Sequence, residues 1–329
     1  MAQLLVTGGA GYIGSHVVRR LGEAGHHPVI YDNCSTGSEA AVLYGQLVLG
    51  DLADMPRLSR LFARHHFDAV LHFAASVVAP ESVTQPLEYY ANNTRNTLNL
   101  LQCCQSFGVK HLIFSSTAAV YGEPTGNPVD ETHPTRPVNP YGRSKRMSEQ
   151  MIEDLAAATD LKYVILRYFN VAGADPEGRL GPRYQGAPHL IKAACDAALG
   201  RRPSVSIYGT DYDTPDGTCI RDYIHVEDLA AAHIDALRYL ENGGRSDIFN
   251  CGYGRGYSVR DVLSHVQDIS KVRFSIIEQG RRPGDPVAVT ACSKKIRNTL
   301  GWSPAYDDLD VIISTTLAWE RRRGAGFVQ

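Results

Sequence analysis

The stretch TGGAGYIG, Thr7 to Gly14, decides the fold. It closes a short apolar run, Leu4–Thr7, and leads into an amphipathic one, Tyr12–Ala24, so its glycines fall at a strand-to-helix turn. Gly9-x-Gly11-x-x-Gly14 satisfies the dinucleotide fingerprint, and Gly8-x-x-Gly11-x-x-Gly14 satisfies its near variant. Glycine is needed because a pyrophosphate must reach the backbone N–H groups at a helix N-terminus, where a Cβ would intrude. The next predicted strand, Pro28–Tyr31, runs into Asp32. A carboxylate there accepts hydrogen bonds from the ribose hydroxyls and repels a 2′-phosphate, which selects NAD over NADP. A lone glycine pattern is weak. Strand, glycines, helix and acid in that order are a much stronger signal.

Outward from this turn the same rhythm continues. Strands are predicted at Leu47–Leu49, Ala69–Phe73, His111–Ser115 and Lys162–Arg167, with helices at Met55–His65, Asn93–Ser106 and Tyr141–Thr159. This is an α/β pattern, and it predicts a doubly wound parallel sheet of the Rossmann type. Beyond Asn170 the rhythm breaks into Gly/Pro-rich loops, Ala174–Pro188 and Tyr208–Thr218, and later elements at Val226–Glu241, Ser258–Ser270 and Ser293–Leu300 form a smaller, loop-rich region expected to pack on the sheet. The expected division is a NAD-binding domain over residues 1–169, with 224–250 returning to it, and a smaller C-terminal α/β substrate-binding region over 170–329. In doubly wound sheets, ligands lie beyond the carboxyl ends of the strands. Three strand ends there are notable: Asp51-Leu52, for the adenine amino group and ring; Phe73-Ala74-Ala75, small enough for close passage of a cofactor; and Ser115-Ser116-Thr117.

Composition narrows the function classes. Of 329 residues, 43% are hydrophobic and 21% charged, as in soluble proteins, and the net charge of −2 offers no basic surface for nucleic acid or anionic membrane. No apolar run is long enough to span a bilayer, and the chain opens on an apolar strand with no signal peptide expected before it. Seven scattered cysteines without a CxxC argue against a disulfide framework or a metal site, and for a reduced cytoplasm.

A second stretch, NPYGRSK at Asn139–Lys145, sets a tyrosine and a lysine one helical turn apart. Asn139 is a good N-cap and Pro140 suits a first helical turn. Taken alone, the pair is an ordinary aromatic–lysine contact. Together with TGGAGYIG, Asp32-Asn33 and SST ahead of a YG, however, it resembles the extended short-chain dehydrogenase/reductase family. LRYFNVAG, YGTDYDTPDGTCIRDYIHVEDLA and RRPGD are similar, more narrowly, to the UDP-galactose (UDP-glucose) 4-epimerases, and the resemblance spans nearly the whole chain.

That resemblance implies a C4 oxidation of a UDP-sugar to a 4-keto intermediate and its reduction from the other face, with NAD kept bound. It implies that Tyr141 transfers the proton, that Lys145 holds the nicotinamide ribose and favours tyrosinate, and that Thr117 bonds the sugar O4. Cofactor contacts are implied for Gly8, Gly11, Tyr12, Ile13, Gly14, Asp32, Asn33, Ser35, Thr36, Asp51, Leu52, Phe73, Ala74, Ala75, Asn92, Ser115 and Tyr168. For the substrate, Arg221 and Arg282 would grip the diphosphate. Asp285 would bind the uridine ribose, Asn170 the phosphate–sugar region, and Leu190 and Tyr208 the uracil. Val289, four residues after Asp285, would line the hexose pocket. Its small side chain would admit an N-acetyl group at C2, and hence UDP-GlcNAc and UDP-GalNAc.

Two positions depart from the family pattern. Val77 replaces a lysine that touches the cofactor phosphate, which weakens NAD retention, and His189 replaces a common asparagine beside the uridine pocket. Competing readings are a uronic-acid 4-epimerase, a nucleotide-sugar dehydratase and a non-catalytic NAD sensor. Ala118 and Ala119 stand where dehydratases carry acids, which counts against dehydration. Asn93–Ser106 and Tyr141–Thr159 carry apolar stripes, which in this fold commonly pack on the sheet, and the resemblance implies that they pair two subunits into a homodimer.

Overall fold

The computed structural model describes residues 2–183, 189–282 and 284–324. The rest of the loop to Pro188, and Pro283 of RRPGD, fall outside the described residues. Six strands run in the first half: β1 (Leu4–Thr7), β2 (Val29–Asp32), β3 (Gln46–Leu49), β4 (Ala69–His72), β5 (His111–Thr117) and β6 (Lys162–Tyr168). After β7 (Asn170–Ala172), β8 (Ser204–Tyr208) and β9 (Ile220–His225), strand β10 (Asp247–Cys251) returns beside β6. The result is one seven-stranded sheet, parallel throughout, in the order 3-2-1-4-5-6-10. The chain reverses direction across the sheet between β1 and β4, the switch point at which such sheets open a crevice.

Helices α1 (Tyr12–Glu23), α2 (Met55–Arg64), α3 (Ala79–Thr84), α4 (Pro86–Tyr89), α5 (Asn96–Ser106) and α6 (Pro140–Ala158) accompany the first six strands. Alternation along β1 explains the two layers, because successive side chains leave a strand on opposite faces. Leu4 and Val6 pack with Val17, Val18 and Leu21 of α1 and with Leu229 and Leu237 of a later helix. Leu5 packs on the other face with Leu58 and Phe62 of α2, Leu100 of α5 and Ile152 of α6.

Residues 93–95, expected to open the helix from Asn93, fall instead in a wider helical turn over residues 90–95 ahead of α5. The Asn93 carboxamide accepts from Ser76 N and donates to Ser76 O and Ser144 Oγ, and Ser148 Oγ donates to the Asn93 carbonyl, so this turn is tied to its neighbours.

The remaining helices are α7 (Leu190–Ala198), α8 (Val226–Glu241), α9 (Val259–Ser270), α10 (Lys294–Leu300) and α11 (Leu309–Gly324), with strands β11 (Gly256–Ser258), β12 (Ser275–Gln279) and β13 (Ala288–Val289). Helix α8 packs with α1 on the large sheet, whereas α7, α9 and α11 enclose a separate core around Ile191, Val262 and Ile313. Strand β9 is the hinge of the C-terminal region. It pairs with β11 antiparallel, and with β13 and β7 in parallel.

Candidate active site

The glycine turn is closed by contacts that a side chain would break. Gly8 adopts φ +72°, and a Cβ there would lie 2.5 Å from Ala74 N, while a Cβ on Gly14 would lie 2.3 Å from Gly8 O. The backbone after β1 therefore abuts the backbone after β4, with Phe73, Ala74 and Ala75 beside it. Gly11 is the N-cap of α1 and supplies no side-chain cap, so the first-turn N–H groups of Tyr12, Ile13 and Gly14 face outward for a ligand. Asp32 sits at the end of β2 and is fixed by the turn itself, its carboxylate accepting from Ala10 N (2.9 Å) and Cys34 N (2.8 Å).

Asn33 donates to Asp51 (2.7 Å), joining the ends of β2 and β3, and Ser35 and Thr36 lie exposed just beyond. Two expected contacts are narrower than the sequence implied. The Tyr12 phenol donates to Gly173 O (2.6 Å), across to the segment after β7, so what Tyr12 offers a cofactor is its backbone N–H. Leu52 is 6% exposed and packs into the core with Tyr31 and Leu58, so it presents only an edge to an adenine ring.

At the end of β5 the structure brings Thr117, Tyr141 and Lys145 together. Asn139 caps α6 by accepting from Gly142 N (2.9 Å), Pro140 occupies the first turn, and Tyr141 and Lys145 follow on one face, 9% and 3% exposed. The Thr117 hydroxyl lies near enough to the Tyr141 phenol to oppose the effect of its burial. The Lys145 ammonium donates to Ser115 O (2.8 Å) and lies 4.8 Å from the centre of the Phe114 ring. Ser115 Oγ and the Tyr168 hydroxyl are in contact, and Asn92 donates to Ser76 Oγ (2.8 Å) along the opposite wall.

The electrostatics correct one expectation. Burial pushes the Tyr141 phenol up, with only the Thr117 hydroxyl pulling it down, and burial pushes the Lys145 ammonium down to about 7. The protein alone therefore does not favour tyrosinate, because desolvation penalises both charged forms.

A second group forms where the C-terminal region faces this cleft. Arg221 on β9 lies 3.6 Å from Asp285, and Arg282 Nε donates to the same carboxylate at 3.0 Å. The Arg282 guanidinium stacks over Tyr208, 4.3 Å from its ring centre. Two guanidiniums thus share one carboxylate, leaving one positive charge in surplus for an anion. Asn170 is exposed on β7, next to Phe169. His189, exposed, and Leu190, half-buried against the C-terminal core, begin α7; among the described residues no hydrogen bond joins them to the arginine group.

Val289 pairs in register with Arg221, but its side chain is only 6% exposed, in a cluster with Val120, Tyr121, Val129 and Phe169. Ala118, the residue after Thr117, packs against that cluster. Val289 is thus a buried wall behind the loop after β5 rather than an open face of a pocket.

Comparison with known proteins decides the family. Residues 4–252 match the NAD dependent epimerase/dehydratase family. The chain belongs to that family. A UDP-glucose 4-epimerase of Azospirillum brasilense is 54% identical over 97% of this chain and 92% of its own length. The crystal structure of a UDP-glucose 4-epimerase from Brucella ovis in complex with NAD superposes with a TM-score of 0.94 at 44% identity, covering 97% of this chain and 98% of that one. A UDP-Glc/GlcNAc 4-epimerase from Campylobacter jejuni gives a TM-score of 0.86 at 46% identity over 98% of this chain and 100% of that one.

The residues present fit the cofactor of this family. Gly8 and Gly14 keep the turn tight, and the uncapped N-terminus of α1 presents donors and a positive helix dipole for a pyrophosphate. The fixed Asp32 carboxylate retains lone pairs for the ribose hydroxyls. Val77, on the loop after β4, is 50% exposed and adds no cation to this wall. Sequence patterns did not single out Asn93, Ser76 or Tyr89, which hold that loop through bonds to backbone groups; a lone asparagine or tyrosine carries no signal until the fold brings its partner near.

Proposed function

We propose that this chain is an isomerase, a UDP-hexose 4-epimerase that interconverts UDP-galactose and UDP-glucose and also accepts UDP-GlcNAc and UDP-GalNAc. The observation that carries this reading is the meeting of Thr117, Tyr141 and Lys145 at the carboxyl end of β5, beside a dinucleotide turn. NAD, when bound, supplies the hydride acceptor and donor for C4. The chain's own work is to move one proton and to hold the sugar. Tyr141, as the phenolate that the positive charges of Lys145 and of bound NAD would favour, takes the proton from the sugar O4, directly or through Thr117 Oγ1, and returns it when the ring has turned over. Lys145, fixed on Ser115 O, sets a positive charge behind the phenol. Arg221 and Arg282 anchor the diphosphate so that the hexose can rotate about it, with Asp285 turned to the uridine ribose and Tyr208 to the base.

In this reading residues 1–169 with 224–250 bind NAD, and 170–329 bind the UDP-sugar. We further propose a cytoplasmic homodimer. All seven cysteines are free thiols, and no helix among the described residues is long and apolar enough to cross a membrane. A groove of about 330 Å³ lies between the residues preceding α5 and helix α6, lined by Tyr90, Thr94, Arg95, Leu98, Met147 and Met151. Leu98 and Met147 are each 43% exposed there, and a second copy of the same face is the occupant that would cover both.

Incubation with UDP-glucose, UDP-GlcNAc and UDP-glucuronate, read by NMR and mass spectrometry, tests the assignment. Equilibration with the C4 epimer at unchanged mass is expected for the first two sugars. Loss of a water would mean a dehydratase, and conversion of the glucuronate alone a uronic-acid epimerase.

A further inference from the structure

Behind the catalytic triplet lies a buried ionic group that the proposed chemistry does not use. Glu149 follows Lys145 by four residues on α6 and is fully buried. Its carboxylate accepts from Ser116 Oγ (2.6 Å), from Arg167 through Nε (2.9 Å) and a terminal nitrogen (2.7 Å), and from Arg146 (3.1 Å). Arg167, on β6, continues through the Tyr121 hydroxyl (3.1 Å) to Asn250 (2.7 Å) and so to Val129 O (2.9 Å).

Two successive residues of β5 are therefore held by two successive turns of α6. Lys145 donates to the carbonyl of Ser115, and Glu149 accepts from the hydroxyl of Ser116. A buried carboxylate is costly unless its partners satisfy it, and here four donor contacts do so.

We propose that Glu149 is a positioning residue of this site: bonded to Ser116, it fixes the strand end that carries Thr117 and sets its carboxylate one helical turn from the Lys145 ammonium. This rests on the epimerase reading given above.

The groups around Lys145 single out Glu149 for that work. His72 on β4 is held between Thr7 Oγ1 (2.7 Å) and Thr97 Oγ1 (2.9 Å); burial, helped by the charge of Lys145, pushes it down to about 3, so it is neutral. Tyr168 on β6 is pushed up by burial and is also neutral, and Phe114 on β5 offers only its ring. Tyr141, on the same helix, is pushed up as well. Arg146 and Arg167 are cations and are both paired to Glu149. Burial drives the Lys145 ammonium down, and Glu149 is the charge that opposes it. The sign follows. Without the carboxylate, Lys145 loses its proton at a lower pH, and the alkaline limb of turnover moves down with it.

The test uses Glu149→Gln in the full-length holoprotein, with the pH profile of kcat and the Lys145 titration followed by NMR on protein with 13C-labelled lysine. Because Glu149→Gln leaves Arg167 buried without its partner, the double variant Glu149→Gln/Arg167→Met is measured beside it. Ser116→Ala serves as a third variant that keeps every charge. The expected result is a fall of about one pH unit in both midpoints for the two Glu149 variants. Ser116→Ala is expected to lower kcat with the midpoints unmoved. A double variant that folds and is slow at every pH, with the Lys145 midpoint at its wild-type value, would reduce Glu149 to a structural prop and overturn the proposal. If the wild type epimerises no UDP-sugar, the epimerase reading is what fails, and the Lys145 titration still decides the role of Glu149.

Discussion

Two glycines of the same turn are expected to fail in different ways. A Cβ on Gly14 would stand 2.3 Å from Gly8 O, 2.9 Å from Gly9 Cα and 3.0 Å from Gly8 C, all backbone atoms. Restoring ordinary contact at about 3.5 Å opens the turn by about 1 Å. Overpacking against a backbone that cannot rotate away places the cost of Gly14→Ala near the top of the usual range, about 3 kcal/mol. For 329 residues at the usual unfolding entropy that is a loss of about 4 °C in Tm, with or without cofactor. A Cβ on Gly11 meets only Gly8 O, at 3.2 Å, and the backbone there, φ −78° and ψ 177°, suits any residue. Gly11→Ala is therefore expected to leave the cofactor-free protein within about 1 °C of wild type. Its methyl group instead enters the space over the N-terminus of α1, where the pyrophosphate is placed, and weakens NAD by at least about tenfold, or about 1.4 kcal/mol. Scanning fluorimetry of NAD-stripped protein measures the first effect and titration calorimetry with NAD the second. A Gly11→Ala protein that binds NAD as wild type does would show that the cofactor does not approach this turn.

Tyr141→Phe deletes the proton acceptor and little volume, so turnover is expected to fall by roughly 10²–10⁴-fold while UDP binding by calorimetry stays near wild type; a near-normal rate would place the base elsewhere. Light scattering is expected to give a dimer of the 36.0 kDa chain, and Leu98→Asp with Met147→Asp a monomer; a wild-type monomer at micromolar concentration rejects the pairing. For Glu227, burial pushes the carboxyl up, but His16, Arg19 and Arg20 outweigh it and hold it at about 2. Its contribution, on the order of 3 kcal/mol, is complete above the ordinary carboxylate value near 4.5 and is lost as pH falls toward 2. Urea midpoints should therefore drop across that window in wild type and run flatter in Glu227→Gln. Val289→Tyr is expected to overpack the buried cluster and slow UDP-GlcNAc and UDP-galactose alike, and a loss confined to UDP-GlcNAc would mean that this side chain reaches the sugar after all.

What the sequence made legible follows from how local each signal is. Strand β1 and helix α8 cover the very residues expected, β4 and α2 differ by a residue at one end, and β2 and α6 are each shifted by one residue. Those segments carry their own pattern of apolar side chains, which depends on nothing farther than one turn or one pleat. In the C-terminal region, sequence patterns mark no element where α7, β8 and β12 stand. Strand β12 is exposed at every position and so has no buried alternation of its own. Strand β8 does alternate, with Val205 and Ile207 buried, but over only five residues, and the two strands pair in parallel.

The site divides along the same line. The triplet of Thr117, Tyr141 and Lys145 was legible because it lies on two local motifs, SST and YGRSK. Glu149 was not, although it is as close in sequence to Lys145 as Lys145 is to Tyr141. A glutamate four residues after a lysine reads as one more exposed helix pair, and only the arrival of Arg167 from β6 and Ser116 from β5 turns it inward. Val289 shows the converse. Counting from Asp285 reached the residue that pairs with Arg221, yet counting cannot say which way a strand residue points when the strand is two residues long and its partners come from residues 120, 129 and 169. A side-chain direction set by three distant segments is a property of the packed cluster, so any effect of this position on sugar choice has to pass through Ala118 and the loop that carries Thr117.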